Sequence, residues 1–384
     1  MRSKRWKRQT AERIRRGGER TILLRLVVLS SLVSLLAMPL HAAEDRPRNF
    51  PRDWWPEMQA KPDEWYASDD AKRIATNILS WQDESGGWPL MQTINEPWNG
   101  DESAVGPWGR RGALIKATVN EIRFLARAYR VTKDPRYLQA AVEGIDFILR
   151  AQWPSGGWPH SYPHFRNPYD RYATFNDDET VDLMRLLREV ATAPDFDPLS
   201  QEKKDAARRA FDRGIDFILK SQIVVDGRRT VWAQQHDEVT LEPRAARAFE
   251  PVALSAGESA GVLKLLMSIE RPSQAIIDAV HAGAAWYEAV KIQGIRIQRT
   301  ADDRLVVEDP HAPPIWARFN QIGTNRPIFA GRDGVIRFRL ADIEKERRGG
   351  YAWYGDWGRT VLEQYAKWRT TVAVQSGSRS PTGS

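Results

Sequence analysis

Three stretches of this chain read alike at a fixed spacing, and that repeat narrows the possible folds more than any other feature. They are ILSWQDESGGWP (78–89), ILRAQWPSGGWP (148–159) and ILKSQIVVDGRRTVW (218–232), and Gln82, Gln152 and Gln222 follow one another at intervals of 70 residues. A fourth stretch, Trp286 to Ile292, falls at the next interval without the glutamine. A constant period of this size means one supersecondary unit copied along the chain, each copy burying its apolar face against its neighbours. Each unit reads as two helices and a loop. In PRYLQAAVEGIDFILR (135–150), Tyr137, Leu138, Ala141, Ile145, Ile148 and Leu149 recur at helical spacing, as do the apolar residues of NEIRFLARAY (120–129). Phe147 and Phe217 sit in near-identical GIDFIL segments. The Gly-Gly that follows stops a helix, because glycine enters the left-handed region without steric cost. Helical hairpins stacked on a common face curve around it, so the expected fold is all-α: an (α/α) toroid of three such repeats. Residues 292–340 depart from the pattern. Their β-branched residues and turn signals predict a small sheet or long hairpins near the C-terminal part.

The ends of the chain are read separately. Residues 1–25 hold ten Lys and Arg, Leu26–Leu40 is apolar, and Ala42–Ala43 follow. Charged, then apolar, then small is the order of a secretory signal peptide. The apolar run has 15 residues, short of the roughly 20 of a membrane span. A membrane is therefore a partner only if the leader stays uncleaved. The expected organisation is a signal peptide at 1–43, a helical domain at 44–374 and a disordered tail at 375–384, with the protein periplasmic or secreted and monomeric. The leader also accounts for the charge. The whole chain carries +7 and residues 1–43 carry +8, which leaves 47 basic and 48 acidic residues in the remainder. Nucleic acid is thus not an expected partner, and any affinity for a polyanion must come from local clusters. There is no cysteine, which excludes disulfides, thiol nucleophiles and thiolate metal sites. Of the 16 tryptophans, 15 follow the leader; some belong to a core, and a surplus of indoles also suits sugar faces lying flat on aromatic rings.

Three constellations carry chemistry. Asn176-Asp177-Asp178-Glu179 precedes a helix. It reads either as an N-cap with acids favoured by the helix dipole or as a calcium or sugar-hydroxyl site. The stretch from Trp232 to Glu250 contains a His236-Asp237-Glu238 run and Arg244 and Arg247 beside Pro243, too many polar types for simple core. The third cluster runs from Arg318 to Gly334. Gly323, Gly331 and Gly334 give it backbone freedom, Asn325 adds an amide, and Arg318, Arg326 and Arg332 supply forked donors that match carboxylates. A phosphate cradle would show a glycine loop opening a helix, and none is evident, so a uronate site fits better.

At these residues the chain resembles the family 10 polysaccharide lyases, pectate lyases built on an (α/α) toroid. The matching strings are EIRFLARAY (121–129), TFND (174–177), QHDEVTLEP (235–243), ARAFEP (246–251), ESAGVLKLLMSIERPS (258–273), IGTNRPIFAGRDGV (322–335) and GYAWYGDW (350–357). The resemblance implies an acidic polysaccharide, polygalacturonate or a related polyuronate, cleaved by β-elimination. It assigns the base to Arg247, the binding of uronate carboxylates to Arg318 and Arg332 with Asn325 and Arg326 beside them, and a metal or sugar ligand to Asp177. It also implies Ca2+. One departure matters here: where the family carries an aspartate that helps hold calcium, before the EIRFLA helix, this chain has Leu114. An apolar residue cannot ligate a hard cation. Lys116, two residues on, offers an ammonium to stand in for the metal's charge, unless acids such as Asp101 hold it instead.

Two other classes stand beside this reading. One is a toroid that binds uronates without efficient turnover, suggested by Leu114. The other is an unrelated (α/α) enzyme, either a glycoside hydrolase, which needs two carboxyl groups facing one sugar, or a triterpene cyclase. Those cyclases share Gln-x-x-x-Gly-x-Trp repeats but protonate through an Asp-x-Asp-Asp string that is not present here.

Overall fold

In the computed structural model, residues 55–89, 96–101 and 115–377 are described, with backbone alone for 115, 116 and 375–377. Eleven α-helices fall in this part: α1 Trp55–Ala60, α2 Asp63–Tyr66, α3 Asp69–Trp81, α4 Ile115–Thr132, α5 Pro135–Ala151, α6 Glu179–Thr192, α7 Gln201–Ser221, α8 Ala256–Met267, α9 Gln274–Ala289, α10 Lys345–Gly350 and α11 Trp357–Gly377. Helices α4 with α5, α6 with α7 and α8 with α9 form hairpins, and α4, α6, α8 and α11 pack in succession as a second row. The start of each helix in the row α3, α5, α7, α9 is written in the sequence. Ser68, Asp134, Ser200 and Ser273 accept a hydrogen bond from a backbone N–H of the first turn, satisfying donors that the helix itself leaves open.

The repeat glutamines work as staples. Gln82 Nε2 donates to the carbonyls of Gly86 and Ala140 at 2.9 Å each. Gln152 does the same to Gly156 and Ala210, and Gln222 to Thr230 and Ala279. Each amide thus ties its own loop to the next helix of the row: α3 to α5, α5 to α7, α7 to α9. The tryptophans follow suit. The indoles of Trp88, Trp158 and Trp232 are fully buried and donate to the carbonyls of Ile78, Ile148 and Ile218 in the last turn of the preceding helix. A Cβ at Gly144 would lie 2.8 Å from both Ile122 and Trp88, so the glycine lets α4 and α5 close on the indole. Gln222→Leu removes both donations to these buried carbonyls and is expected to destabilise the fold by about 1–3 kcal/mol. The measurement is a lower urea midpoint at unchanged m-value; an unmoved midpoint would deny the staple its role.

The expectation of an all-α toroid is corrected by this structure. About half of the described residues are helical, and among them thirteen short strands form one three-stranded and five two-stranded sheets. Among the described residues the helix contacts run as two rows in succession, and they show no closed ring. Sheets also occur well before the C-terminal part: Ala173–Thr174 pairs with Gln235–His236, which pairs with Pro243–Arg244. The physical reason is length. A two-residue strand is long enough for the loops between hairpins to exchange backbone hydrogen bonds, but too short to leave an alternating pattern. The five-residue hairpin Ile295–Arg299 with Arg304–Glu308 did leave one, and lies within the region read as β.

The surplus of tryptophan is mostly core. Trp88, Trp158, Trp232, Trp316 and Trp353 are among the largest fully buried side chains. A second, smaller apolar cluster of Phe249, Phe319, Phe329, Leu340 and Trp353 lies apart from the main core, with Tyr351 packed on it. No helix among the described residues is long and apolar enough to cross a membrane. The leader at 1–43 lies outside the described residues, as do Leu114 and the Lys116 side chain. Helix α11 reaches Gly377, and 378–384 of the tail lie outside as well.

Candidate active site

The loops that join the helix pairs bring several of the singled-out residues together over the smaller apolar cluster. Arg318 lies between two short strands, Trp316–Ala317 and Phe319–Asn320. Its N–H donates to the Trp353 carbonyl at 2.7 Å and its carbonyl accepts from Ala256 N–H at 2.8 Å. The side chain is buried and ion-paired with Glu258, whose carboxylate also accepts from Ser255 Oγ. Its guanidinium sits 4.8 Å from the ring centre of Tyr351, and its Nε–H has no partner among the described residues. Burial works against the charge, but Glu258 and the more distant Asp177 and Glu250 outweigh it and hold Arg318 above the usual arginine range.

Arg247 is half exposed and grips Glu250 with a fork. Its Nε donates to Oε2 at 2.8 Å, and its Nη2 donates to Oε1. Glu250 is buried and also accepts from Gln234 Nε2 and from the Tyr351 hydroxyl, at 3.0 Å each. Burial would raise the Glu250 carboxyl, and the hydrogen bonds from Arg247 more than reverse this, leaving it below its usual value. For Arg247 burial likewise opposes the charge, and Glu250 more than restores it, so the guanidinium is held above its usual range. Tyr351 therefore links the two arginines, with its hydroxyl on the carboxylate of one and its ring under the other.

Arg332 stands at the exposed edge. It forms a fork to Glu346 at 2.9 and 3.0 Å, and its guanidinium lies 6.0 Å from the Phe249 ring that also carries Arg247 at 4.9 Å and Arg347 at 4.3 Å. Asp177 enters from the opposite loop. Asp177 and Asp178 both have positive φ, 53° and 63°, a conformation costing a residue with a Cβ about 1–2 kcal/mol. The Asp177 charge acts on both Arg247 and Arg318. Asp178 packs against α8, where only Gly261 leaves it room: a Cβ there would lie 2.0 Å from its Oδ1. His160 Nδ1 bonds Glu179 at 2.9 Å. Burial lowers its pKa and Glu179 raises it, with a net upward shift.

The other singled-out residues are engaged elsewhere. Asn325, with φ 58°, accepts from Trp286 Nε1 at 2.9 Å, which fastens its loop to α9. Arg326 stacks on Phe338 at 3.8 Å. The His236-Asp237-Glu238 run is architectural. His236 is fully buried, donates from Nδ1 to the Leu241 carbonyl at 2.8 Å and accepts the Ala233 N–H at Nε2. Asp237 caps the turn at Val239 and Thr240 and pairs with Arg244, while Glu238 pairs with Arg171. Burial pushes the His236 imidazole down to about 4. Its folded pKa lies below the unfolded value, so the stability it contributes is complete above about pH 6.5 and is lost as pH falls toward 4, roughly 3 kcal/mol in all. An imidazole NMR titration showing His236 protonated at pH 6 would contradict this, as would a stability that is flat between pH 6.5 and 4.5.

Sequence reading assigned no role to Glu250, Glu258 or Tyr351. The signal was present, since all three stand inside ARAFEP (246–251), ESAGVLKLLMSIERPS (258–273) and GYAWYGDW (350–357). What was missing was the partner: Arg247 with Glu250 is a short-range pair, but Arg318 with Glu258 spans 60 residues and Tyr351 with Glu250 spans 101.

The donor set also bears on calcium. Among the described residues, no three His, Cys, Asp or Glu side chains are placed to hold a metal ion, and Asp177 acts on arginines. The stretch around Leu114 lies outside the described residues, and the reaction is derived from the chain's own side chains.

A profile of the pectic acid lyase family matches residues 82–362. Two solved structures align over most of the chain at 30% identity. One is the family 10 polysaccharide lyase from Cellvibrio cellulosa, with a TM-score of 0.72, covering 84% of this chain and 97% of that one. The other is a variant of that lyase in complex with trigalacturonic acid, with a TM-score of 0.71, covering 82% and 96%. No curated protein matches the chain.

Proposed function

The chain belongs to the pectic acid lyase family, and on that premise we propose that it is a polysaccharide lyase acting on polygalacturonate or a closely related polyuronate. The observation that carries the reading is the pair Arg247 and Arg318, joined through Tyr351 and both under the charge of Asp177. Arg318 meets the substrate's carboxylate with the 10% of its side chain that stays exposed, and Arg332 holds a second carboxylate at the edge. Neutralising a carboxylate makes the neighbouring C5–H more acidic, because negative charge builds on that carboxylate as the proton leaves. Arg247 takes the proton. The C5–H electrons become the C4=C5 double bond, the C4–O bond breaks toward oxygen, and the leaving oxygen is protonated by water.

Glu250 sets the pH dependence of this step. It favours the charged form of Arg247, and a base must be neutral. The rate is therefore expected to climb by about tenfold per pH unit through the neutral range without a plateau. A plateau near neutrality would assign the proton transfer to another group. We further propose that residues 1–43 direct export.

The test is the ultraviolet absorbance of the unsaturated uronate, with purified protein on polygalacturonate and with calcium and then chelator added in turn. Because Leu114 cannot ligate a cation, activity is expected to survive the chelator. Its loss would show that other donors hold a required ion. The second reading, a uronate-binding protein without turnover, is favoured by the firm protonation of Arg247. Retained binding with no unsaturated product under any condition would establish it in place of the first.

A further inference from the structure

We propose that Arg299 and Arg304 form a second carboxylate-binding site, which takes a uronate of the same polymer beyond those held at Arg247 and Arg318. The proposal rests on the polyuronate reading above. In the hairpin Ile295–Arg299 with Arg304–Glu308, these two arginines are the last register pair before the turn. Residues directly opposed in an antiparallel pair share a face, and like charges there repel. Nothing among the described residues relieves them: neither arginine has an ion pair. Every carboxylate around them is already taken. Asp302 pairs with Lys345 at 2.6 Å, Asp303 with Arg348 at 2.6 Å, and Glu346 with Arg332 at 2.9 Å.

The two arginines line an open cavity of about 680 Å3 together with Lys345 and the already paired carboxylates Asp302, Asp303 and Glu346. Burial and the adjoining Arg299 charge hold the Arg304 guanidinium below its usual range. A bound anion would relieve both. The cavity adjoins the active-site cluster at two points. Arg304 Nη1 donates to the carbonyl of Tyr351 at 2.6 Å, the residue whose ring lies under Arg318, and Glu346 both lines the cavity and holds Arg332. A chain gripped at the arginine cluster therefore has an adjoining, uncompensated guanidinium pair in reach. Forked donors on a shared face suit a planar carboxylate.

The experiment compares the full chain with Arg299→Ala and Arg299→Lys. Arg299 is exposed and lies outside the catalytic cluster. Initial rates are measured on polygalacturonate and on trigalacturonate, and retardation is measured in polygalacturonate-containing gels. Arg299→Ala is expected to raise KM for the polymer roughly fivefold at unchanged kcat, to leave the trimer unaffected and to weaken retardation, with Arg299→Lys recovering most of the loss. Equal KM on the polymer and equal retardation would overturn the site, as would an equal loss on the trimer. Calorimetric titration with inorganic phosphate that binds tighter than a galacturonate hexamer would assign the pair to a free anion and overturn the polymer reading. If the wild type makes no unsaturated product, the gel still decides: weaker retardation of Arg299→Ala supports the site while the lyase reading fails.

Discussion

Replacing Arg247 with alanine is expected to lower the release of unsaturated uronate by at least about a thousandfold, with binding of polygalacturonate nearly unchanged. The residue is half exposed and rests on Phe249; its removal leaves the buried Glu250 carboxylate to Gln234 and Tyr351, so a thermal melt of the variant accompanies the assay. The reaction loses its base, whereas Arg318 and Arg332 still hold the carboxylates. A KM effect with kcat preserved would reduce Arg247 to a binding residue. Glu250 offers the complementary experiment. Glu250→Gln keeps an acceptor for Gln234 and Tyr351 but removes the charge that holds Arg247 protonated. The pH–rate profile is then expected to move to lower pH, a displacement that a merely structural role for Glu250 would not produce. An unmoved profile at reduced rate would show that Glu250 only orients the arginine.

The largest stability effect is expected at the buried pair beneath the site. Arg318 and Glu258 are both withdrawn from water, and Ser255 completes the carboxylate's bonding. Glu258→Ala leaves a buried guanidinium without its counter-charge and should cost about 3–5 kcal/mol, on the order of a 10 °C fall in Tm for a domain of this size. The double variant Glu258→Leu with Arg318→Met should recover most of that loss, because an apolar pair also escapes the desolvation penalty. It should not recover activity on the polyuronate, since no donor then meets the substrate carboxylate. Equal stability of Glu258→Ala and wild type would mean that water reaches Arg318 and that the pair is not the buried device described.

Much of the architecture was legible in advance. The 70-residue period located three of the four helices in the row α3, α5, α7, α9 and the loops between them, and the bonds from Gln82, Gln152 and Gln222 give the physical reason for the repeated glutamine. The sheets were legible only where strands were long enough to alternate, as at 295–308. The His236 run shows the opposite failure: the histidine of a polar string that invited chemistry is a neutral, buried turn element, and its neighbours Asp237 and Glu238 are held in ion pairs.

What the sequence alone determined about this protein is what depends on near neighbours and on repetition: helix starts at Ser68, Asp134, Ser200 and Ser273, the stapled loops, and the arginines suited to carboxylates. The tertiary structure decided which of those arginines stand together and in what state. Arg247 and Arg318 meet at Tyr351, while Arg326 stacks on Phe338 and Asn325 anchors a loop. The difference has one physical cause. A cap or staple is a contact whose partner is set by chain geometry, so residue type and spacing suffice to read it. A guanidinium's charge and reach depend on carboxylates and rings brought in from 60 to 101 residues away, and those distances close only when the loops between the helix pairs are in place.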